Sequence, residues 1–293
     1  MSQGFPKIAV LLAAYNGMDW IEEQVNSVLT QKNVCVTIFI SVDLSTDGTD
    51  IWANQLAKGT ENVIFLEYGE SFGGAGANFY RLLRDVDLKG FDYVSFSDQD
   101  DIWLEGKLER ACSLIASKSC DVYSSDVTAF WSSGKKQLIK KSYPQKKFDH
   151  FFEAAGPGCT YVFNSKSARA FQQFVQRNQD IINRVSLHDW LAYAFCRKNG
   201  FTWYIDDKPL MLYWQHENNQ VGINNGLRAY KKRLILIRQH WYRNQVKNIS
   251  DLVDPLMSSK LESYFFRVLN ANFFRRRLRD RAVLILLFVF GWY

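Results

Sequence analysis

Asp98, Gln99, Asp100 and Asp101 stand together directly after the apolar run Tyr93-Val94-Ser95-Phe96-Ser97, and Ile102 and Trp103 follow them. A strand that ends in adjacent carboxylates can hold a hard divalent cation by oxygen at the mouth of a sheet, and such a cation would in turn bind a diphosphate. Taken alone the cluster has a second reading, a solvated turn, because side chains at strand ends face water by default. The elements around it decide between the two.

From residue 8 to about residue 100 strands and helices alternate. Ile8 to Ala14 reads as a buried strand. Ile21, Val25, Val28 and Leu29 then recur at helical spacing, with Asp19 and Glu22 placed as a capping box. Val34 to Val42 is a β-branched strand, the turn Ser45-Thr46-Asp47-Gly48-Thr49 leads into a helix from Ile51 to Leu56, and Val63 to Leu66 and Tyr93 to Ser97 are further strands. Alternation of this kind implies a mostly parallel sheet with right-handed crossovers, whose ligands sit at the carboxyl ends of the strands. Tyr15 and Asn16, Asp43, and Asp98 to Asp101 all fall at those ends. Separate surface turns have no reason to gather polar groups on one edge, so a nucleotide site is expected there. Farther on, Val122 to Trp131, Thr160 to Phe163, Phe201 to Ile205 and Leu210 to Trp214 read as strands, and Lys166 to Val175 and Leu187 to Phe195 as helices.

The 293 residues, 15% aromatic, suffice for one large α/β domain with an appendage. The formal charge of +6 is uneven, with much of the excess between Arg228 and Arg243 and between Arg275 and Arg281. Five widely spaced cysteines without a C-x-x-C pair argue against both a disulfide framework and a zinc site, and fit a reducing cytosol. The first apolar run passes straight into Tyr15-Asn16-Gly17, as a strand does and a signal peptide does not.

Together these residues resemble the family 2 glycosyltransferases, whose fold is called GT-A, from about Lys7 to about Gly222. Ala14-Tyr15-Asn16 is similar to the family's first-strand motif, Asp43 with Ser45 to Thr49 to its second, and Asp98-Gln99-Asp100 to its D-x-D. Ser97 to Trp103, His188-Asp189-Trp190-Leu191 and the stretch Gln215 to Gly222 resemble bacterial rhamnosyltransferases of surface polysaccharides. Two positions depart from the pattern: Val42 and Leu44 flank Asp43 where the family usually has Asp and Gly, and Glu105 stands where Pro is common.

The resemblance implies an α/β GT-A nucleotide-diphospho-sugar transferase fold over residues 1–225, with a helical, basic and apolar extension over 226–293. It implies a metal-dependent inverting transfer, in which a divalent cation (Mg²⁺ or Mn²⁺) and fixed donors stabilise the leaving diphosphate. Asp100 is then the first candidate for the metal, with His216 completing its shell. Asp98 reaches the metal through water or binds the ribose, and Asp101 braces the loop by accepting backbone N–H bonds. Asp43 and Tyr15, with Ala14, would hold the nucleotide base. The glycine-rich Ser71 to Asn78 lacks the Lys-Ser/Thr of a phosphate loop, so Gly74 is read either as a close approach to the donor or as part of a plain turn. Asp189 is the candidate general base; its spacing from Ser186 fits a capping box equally well. Gly158, Cys159, His188 and Trp190 would lie on the acceptor side, with Cys159 a small buried filler rather than a nucleophile.

Arg275-Arg276-Arg277-Leu278-Arg279-Asp280-Arg281 precedes a final apolar run of twelve residues, 282–293, too short to span a bilayer as a helix. It suits interfacial attachment to anionic lipid; the other reading is a helix packed on protein. The expected partners are a nucleotide-diphosphate sugar, a saccharide or lipid-linked saccharide acceptor and a membrane surface, with no nucleic acid. The expected location is the inner face of the bacterial cytoplasmic membrane. A nucleotidyltransferase would carry an early glycine-rich, basic phosphate loop, and Ala14-Tyr15-Asn16-Gly17-Met18 is neither. A non-catalytic scaffold would have no use for Asp100 and Asp189 together.

Overall fold

Alternate residues of the first strand, β1 (Lys7–Ala14), enter two different cores. Ala9, Leu11 and Ala13 join one apolar cluster, and Ile8, Val10, Leu12 and Ala14 the other. A strand apolar on both faces needs cover on both, which places it at the centre of a layered sheet. The computed structural model, which describes residues 4–215, 239–291 and 293, has that arrangement.

The described elements run β1, α1 (Ile21–Leu29), β2 (Cys35–Val42), α2 (Thr49–Gly59), β3 (Val63–Phe65), α3 (Ala75–Asp85), β4 (Tyr93–Asp98), β5 (Ile102–Trp103), α4 (Lys107–Ser117), β6 (Val122–Ser125), β7 (Val127–Phe130), β8 (Lys136–Ile139), β9 (Val162–Asn164), α5 (Ser165–Arg177), α6 (His188–Lys198), β10 (Trp203–Asp206) and β11 (Met211–Trp214). Seven strands form the main sheet in the order β10-β6-β9-β4-β1-β2-β3, parallel except for β9. A smaller sheet, β5-β11-β7-β8, lies beyond it. The helices α3, α5 and α6 bury Phe79, Phe171 and Leu191 on one face of the main sheet, and α1 and α4 bury Val25 and Leu108 on the other. This is a mixed, mostly parallel α/β sheet flanked by helices.

Register fixes where the polar ends meet. Ala13 pairs with Asp98 and Ala14 with Val42, so Tyr15, Asp43 and Asp98 emerge from the carboxyl ends of three adjacent parallel strands.

The expected strand from Val122 to Trp131 is two strands in two sheets. The break is at Asp126, a buried residue whose N–H donates to the Asp206 carbonyl while its carboxylate accepts from the backbone of Lys141 and Ser142. Neither expected capping box forms. Trp20 caps α1 without a side-chain bond, and Leu187 does the same for α6.

Among the described residues the C-terminal extension contains α7 (Trp241–Val253), α8 (Pro255–Glu262), α9 (Tyr264–Asn270) and α10 (Leu278–Val289). Its apolar side continues the core of the first 225 residues: Phe274 stacks on Phe152 at 4.2 Å, Tyr242 stacks on Trp190 at 5.5 Å, and Phe288 meets Phe152 edge-on. Of the five arginines in 275–281, Arg275 and Arg276 turn inward toward Glu153 and Asp149. They hold the extension to the domain instead of facing a headgroup layer. None of the described helices is long and apolar enough to cross a membrane.

Candidate active site

The turn after β1 and the turn after β2 are laced together. The Asn16 N–H donates to Ser45 Oγ at 3.0 Å, Gly17 to Thr49 Oγ1 at 2.8 Å and Met18 to Asp47 Oδ2 at 3.0 Å, while Asn16 Oδ1 accepts from the Thr46 N–H at 2.8 Å. This explains the polar run Ser45 to Thr49: the side chains of Ser45, Asp47 and Thr49 each satisfy a backbone group of the neighbouring turn. Gln99 ties in the third strand end. Its amide accepts from the Tyr15 N–H at 2.7 Å and donates to the Tyr15 carbonyl at 2.9 Å. A Cβ at Gly17 would lie 2.4 Å from Gln99 Oε1, so only glycine admits that contact. Tyr15 itself is left 56% exposed rather than packed in the core.

Asp43 is buried and accepts from the backbone N–H groups of Leu44 and Phe72, both at 2.8 Å, and Gly73 at 3.0 Å. It therefore anchors the glycine-rich segment across the strand ends. Within that segment Gly73 and Gly74 have positive φ, and a Cβ at Gly76 would lie 2.2 Å from the Ser186 carbonyl. The segment thus brings α3 against the start of α6. The Ala14 carbonyl is taken up internally by the Asp43 N–H and the Asn78 amide.

Beside this frame lies the acidic group. Ligand atoms of Asp98, Asp101 and Cys159 fall within 4.8 Å of one another. Asp101, expected to brace its loop by accepting backbone N–H bonds, is buried, and its carboxylate faces the Trp214 backbone N–H and the Cys159 thiol. Burial, then the charges of Asp100 and Asp98, drive its carboxyl well above the usual range; burial and Asp100 push Asp98 up to about 7. Buried Lys107, its Nζ 3.5 Å over the Trp103 ring, is the nearby cation, and burial presses it down to about 7. Asp98, Asp100 and Asp101 act on one another by charge, with the weakened ammonium of Lys107 beside Asp101, and such a donor set fits a hard divalent cation. Asp100 adds its charge to this group but is not among the three converging donors, and His216 lies outside the described residues. Cys159 is fully buried with its thiol held well above its ordinary range, as suits a filler and not a nucleophile.

Asp189, whose charge also acts on Asp98, opens α6. Its Oδ1 accepts from the Trp190 N–H at 2.7 Å, and burial pushes its carboxyl up to about 6. Ser186 does not cap the helix; its N–H is bound by Gln245. His188 is a core residue: its ring stacks on Phe79 at 3.8 Å, and burial drives it down to about 3, so it is neutral. Trp190 is buried too, its Nε1–H on the His150 carbonyl at 3.0 Å. Gly158 packs between these side chains, where a Cβ would lie 2.6 Å from His188 Nε2 and 3.1 Å from Asp189 Cβ. Tyr161 braces the loop, its hydroxyl accepting from the Ala155 N–H and donating to the Gly156 carbonyl, both at 3.0 Å. The bracing roles of Gln99 and Tyr161 went unread in the sequence, although glycines at 17 and 158 signal the close approaches involved.

Residues 9–177, more than half of the chain, match glycosyl transferase family 2. The chain belongs to that family. Over 285 residues it is 44% identical to the dTDP-rhamnosyl transferase RfbG of Shigella flexneri, covering 95% of this chain and 99% of that one. A shorter match, 27% identical over 110 residues, covers 37% of this chain and 40% of the UDP-Glc:α-D-GlcNAc-diphosphoundecaprenol β-1,3-glucosyltransferase WfgD of Escherichia coli. Among solved structures, S. aureus TarS 1–349 in complex with UDP-GlcNAc superposes with a TM-score of 0.56 at 14% identity, over 98% of this chain and 80% of that one. The fold is therefore of the GT-A kind. The chain is a glycosyltransferase with homologues in polysaccharide biosynthesis.

Proposed function

We propose that this glycosyltransferase moves rhamnose, with inversion, from dTDP-rhamnose to a hydroxyl of a growing, lipid-linked bacterial polysaccharide. The observation that carries the reading is the identity to RfbG across nearly the whole of both chains, which takes in both the acidic group and Asp189. Tyr15 and Asp43, at adjacent strand ends, hold the base and keep the nucleotide in register. Asp98, Asp100 and Asp101, with His216, would hold Mg²⁺ or Mn²⁺. When bound, that ion offsets the charge developing on the leaving diphosphate. Asp189 takes the proton from the acceptor hydroxyl as its oxygen attacks the anomeric carbon. A carboxyl near 6 suits this task, being ionised at neutral pH yet more basic than an exposed aspartate. Gly158, with Cys159 behind it, and the buried pair His188 and Trp190 fix the backbone on which the base rides.

The extension brings the enzyme to its lipid substrate. On α10, Leu284 and Phe288 face the core, while Leu278, Val283, Leu286 and Val289 are exposed beside exposed Arg277 and Arg279. A helix packed on one side and apolar on the other combines the two readings of the tail and supports peripheral attachment to the inner face of the cytoplasmic membrane.

A thermal-shift series with dTDP, UDP and GDP, each with and without Mn²⁺, tests the donor assignment. Saturation at about 100 times Kd stabilises the fold by about 2.7 kcal/mol. Stabilisation by dTDP that requires Mn²⁺ and disappears in Asp100→Asn is expected. Equal stabilisation by all three nucleotides, or none, would overturn it.

A further inference from the structure

A separate cleft of about 240 Å³ opens between β8 and the start of the C-terminal apolar helix. Its charged lining is Lys140, Lys141, Arg276 and Arg277 against Glu153 and Asp280. Both acids are already engaged. Glu153 Oε1 accepts from the Arg276 N–H at 2.6 Å and its other oxygen lies 3.7 Å from Arg275, while Asp280 lies 3.4 Å from Arg279. Lys140, Lys141 and Arg277 have no carboxylate partner among the described residues. Behind them Arg276 is buried, its Nη1 without a hydrogen-bond partner among the described residues, adding positive field to the cleft wall.

The cleft is built, not a chance gathering of surface lysines. The backbone N–H of Lys141 is held at 2.5 Å by the buried carboxylate of Asp126, the residue that breaks β6 from β7. Burial, then the charges of Arg276 and Arg275, presses the Lys141 ammonium below its ordinary range. It also adjoins the reaction site. A Cβ at Gly156 would lie 3.6 Å from Lys141 Cγ, and one at Gly158, two residues along the same loop, 3.1 Å from Asp189 Cβ. The exposed apolar side of α10 begins one residue after Arg277.

We propose that this cleft is a subsite for the phosphate or diphosphate that joins the acceptor saccharide to its lipid. The inference deepens the lipid-linked acceptor reading and rests on it. An ammonium and a guanidinium fork are the groups that recognise such oxyanions, as a point charge and as a planar pair of donors. The saccharide then extends toward Asp189 and the lipid leaves along Leu278, Val283 and Leu286. The donor's diphosphate is handled elsewhere, at the acidic group, so the two anions do not compete.

The test uses the full chain with its nucleotide site saturated by dTDP and Mg²⁺, titrated with citronellyl diphosphate and, separately, with the uncharged alcohol citronellol. Wild type should bind the diphosphate at least about tenfold more tightly than Lys141→Gln or Arg277→Gln, Lys141→Arg should lie within about threefold of wild type, and citronellol should not distinguish them. Melting temperature and dTDP affinity are measured for every variant. Absence of dTDP binding in wild type would reject the dTDP-sugar donor reading, whereas intact dTDP binding with equal diphosphate affinity in wild type and both Gln variants would overturn only the subsite. Displacement of the diphosphate by dTDP would place it in the donor site and overturn the proposal. Binding of phosphatidylglycerol vesicles that depends on Lys141 and expels the diphosphate would assign the cleft to membrane headgroups, and would also overturn it.

Discussion

Replacement of Asp189 by Asn separates its role as base from a role in holding α6. Burial raises this carboxyl from 3.8 to about 6, so the folded state binds its proton more tightly than the unfolded chain does. The associated cost is absent below about pH 4, grows as pH rises through 6, and is constant above it. Two pH units correspond to about 3 kcal/mol, an upper figure for a half-buried group. The amide keeps an oxygen to accept from the Trp190 N–H and carries no charge to desolvate. Asp189→Asn should therefore melt several degrees higher than wild type at pH 7.5 and no higher at pH 4, by calorimetry. Turnover should fall by about a hundredfold or more with donor affinity unchanged, the usual contribution of a general base. In the wild type, kcat/KM should decline as pH falls through about 6. A variant that melts lower while keeping turnover within tenfold would refute this reasoning and make Asp189 a structural residue.

Gly158→Ala should cost about 1–3 kcal/mol by overpacking against the stacked His188 ring and lower turnover at least about tenfold by shifting Asp189, seen as a lower melting temperature and a reduced kcat at unchanged dTDP affinity. Gln99→Ala removes both bonds to the Tyr15 backbone and should weaken dTDP binding by about fivefold in calorimetric titration, the equivalent of roughly 1 kcal/mol. The double change Leu286→Glu and Val289→Glu, on the exposed side of α10, should abolish sedimentation with anionic vesicles while leaving the melting temperature unchanged. Deleting 282–293 outright would be a poorer test, because Phe288 and Tyr293 pack on Phe152.

The central strands were legible because β1, β2 and β4 are buried on both faces and so are written as continuous apolar runs, with the chemistry at their ends. What escaped reading depends on partners far away in sequence. Asp126 divides an apparently continuous strand because Asp206 and Lys141 meet it. Ser186 has capping spacing but gives its N–H to Gln245, and Arg275 and Arg276 look like a headgroup patch until Glu153 and Asp149 turn them inward. In the site, residue types announced a cation and a base, whereas burial decided which members converge: Asp101 with Asp98, and His188 withdrawn into an aromatic stack. Periodicity carries no signal for either.

The most direct test is transfer itself. The purified full chain is given dTDP-rhamnose, Mg²⁺ and lipid-linked saccharide isolated from cells lacking its gene, and the product is analysed by mass spectrometry and NMR. The account predicts addition of one deoxyhexose with inverted anomeric configuration, dTDP as the released nucleotide, and loss of product with Asp189→Asn. Transfer from UDP-glucose or UDP-GlcNAc in preference to dTDP-rhamnose, retention of configuration, or undiminished product from Asp189→Asn would contradict it.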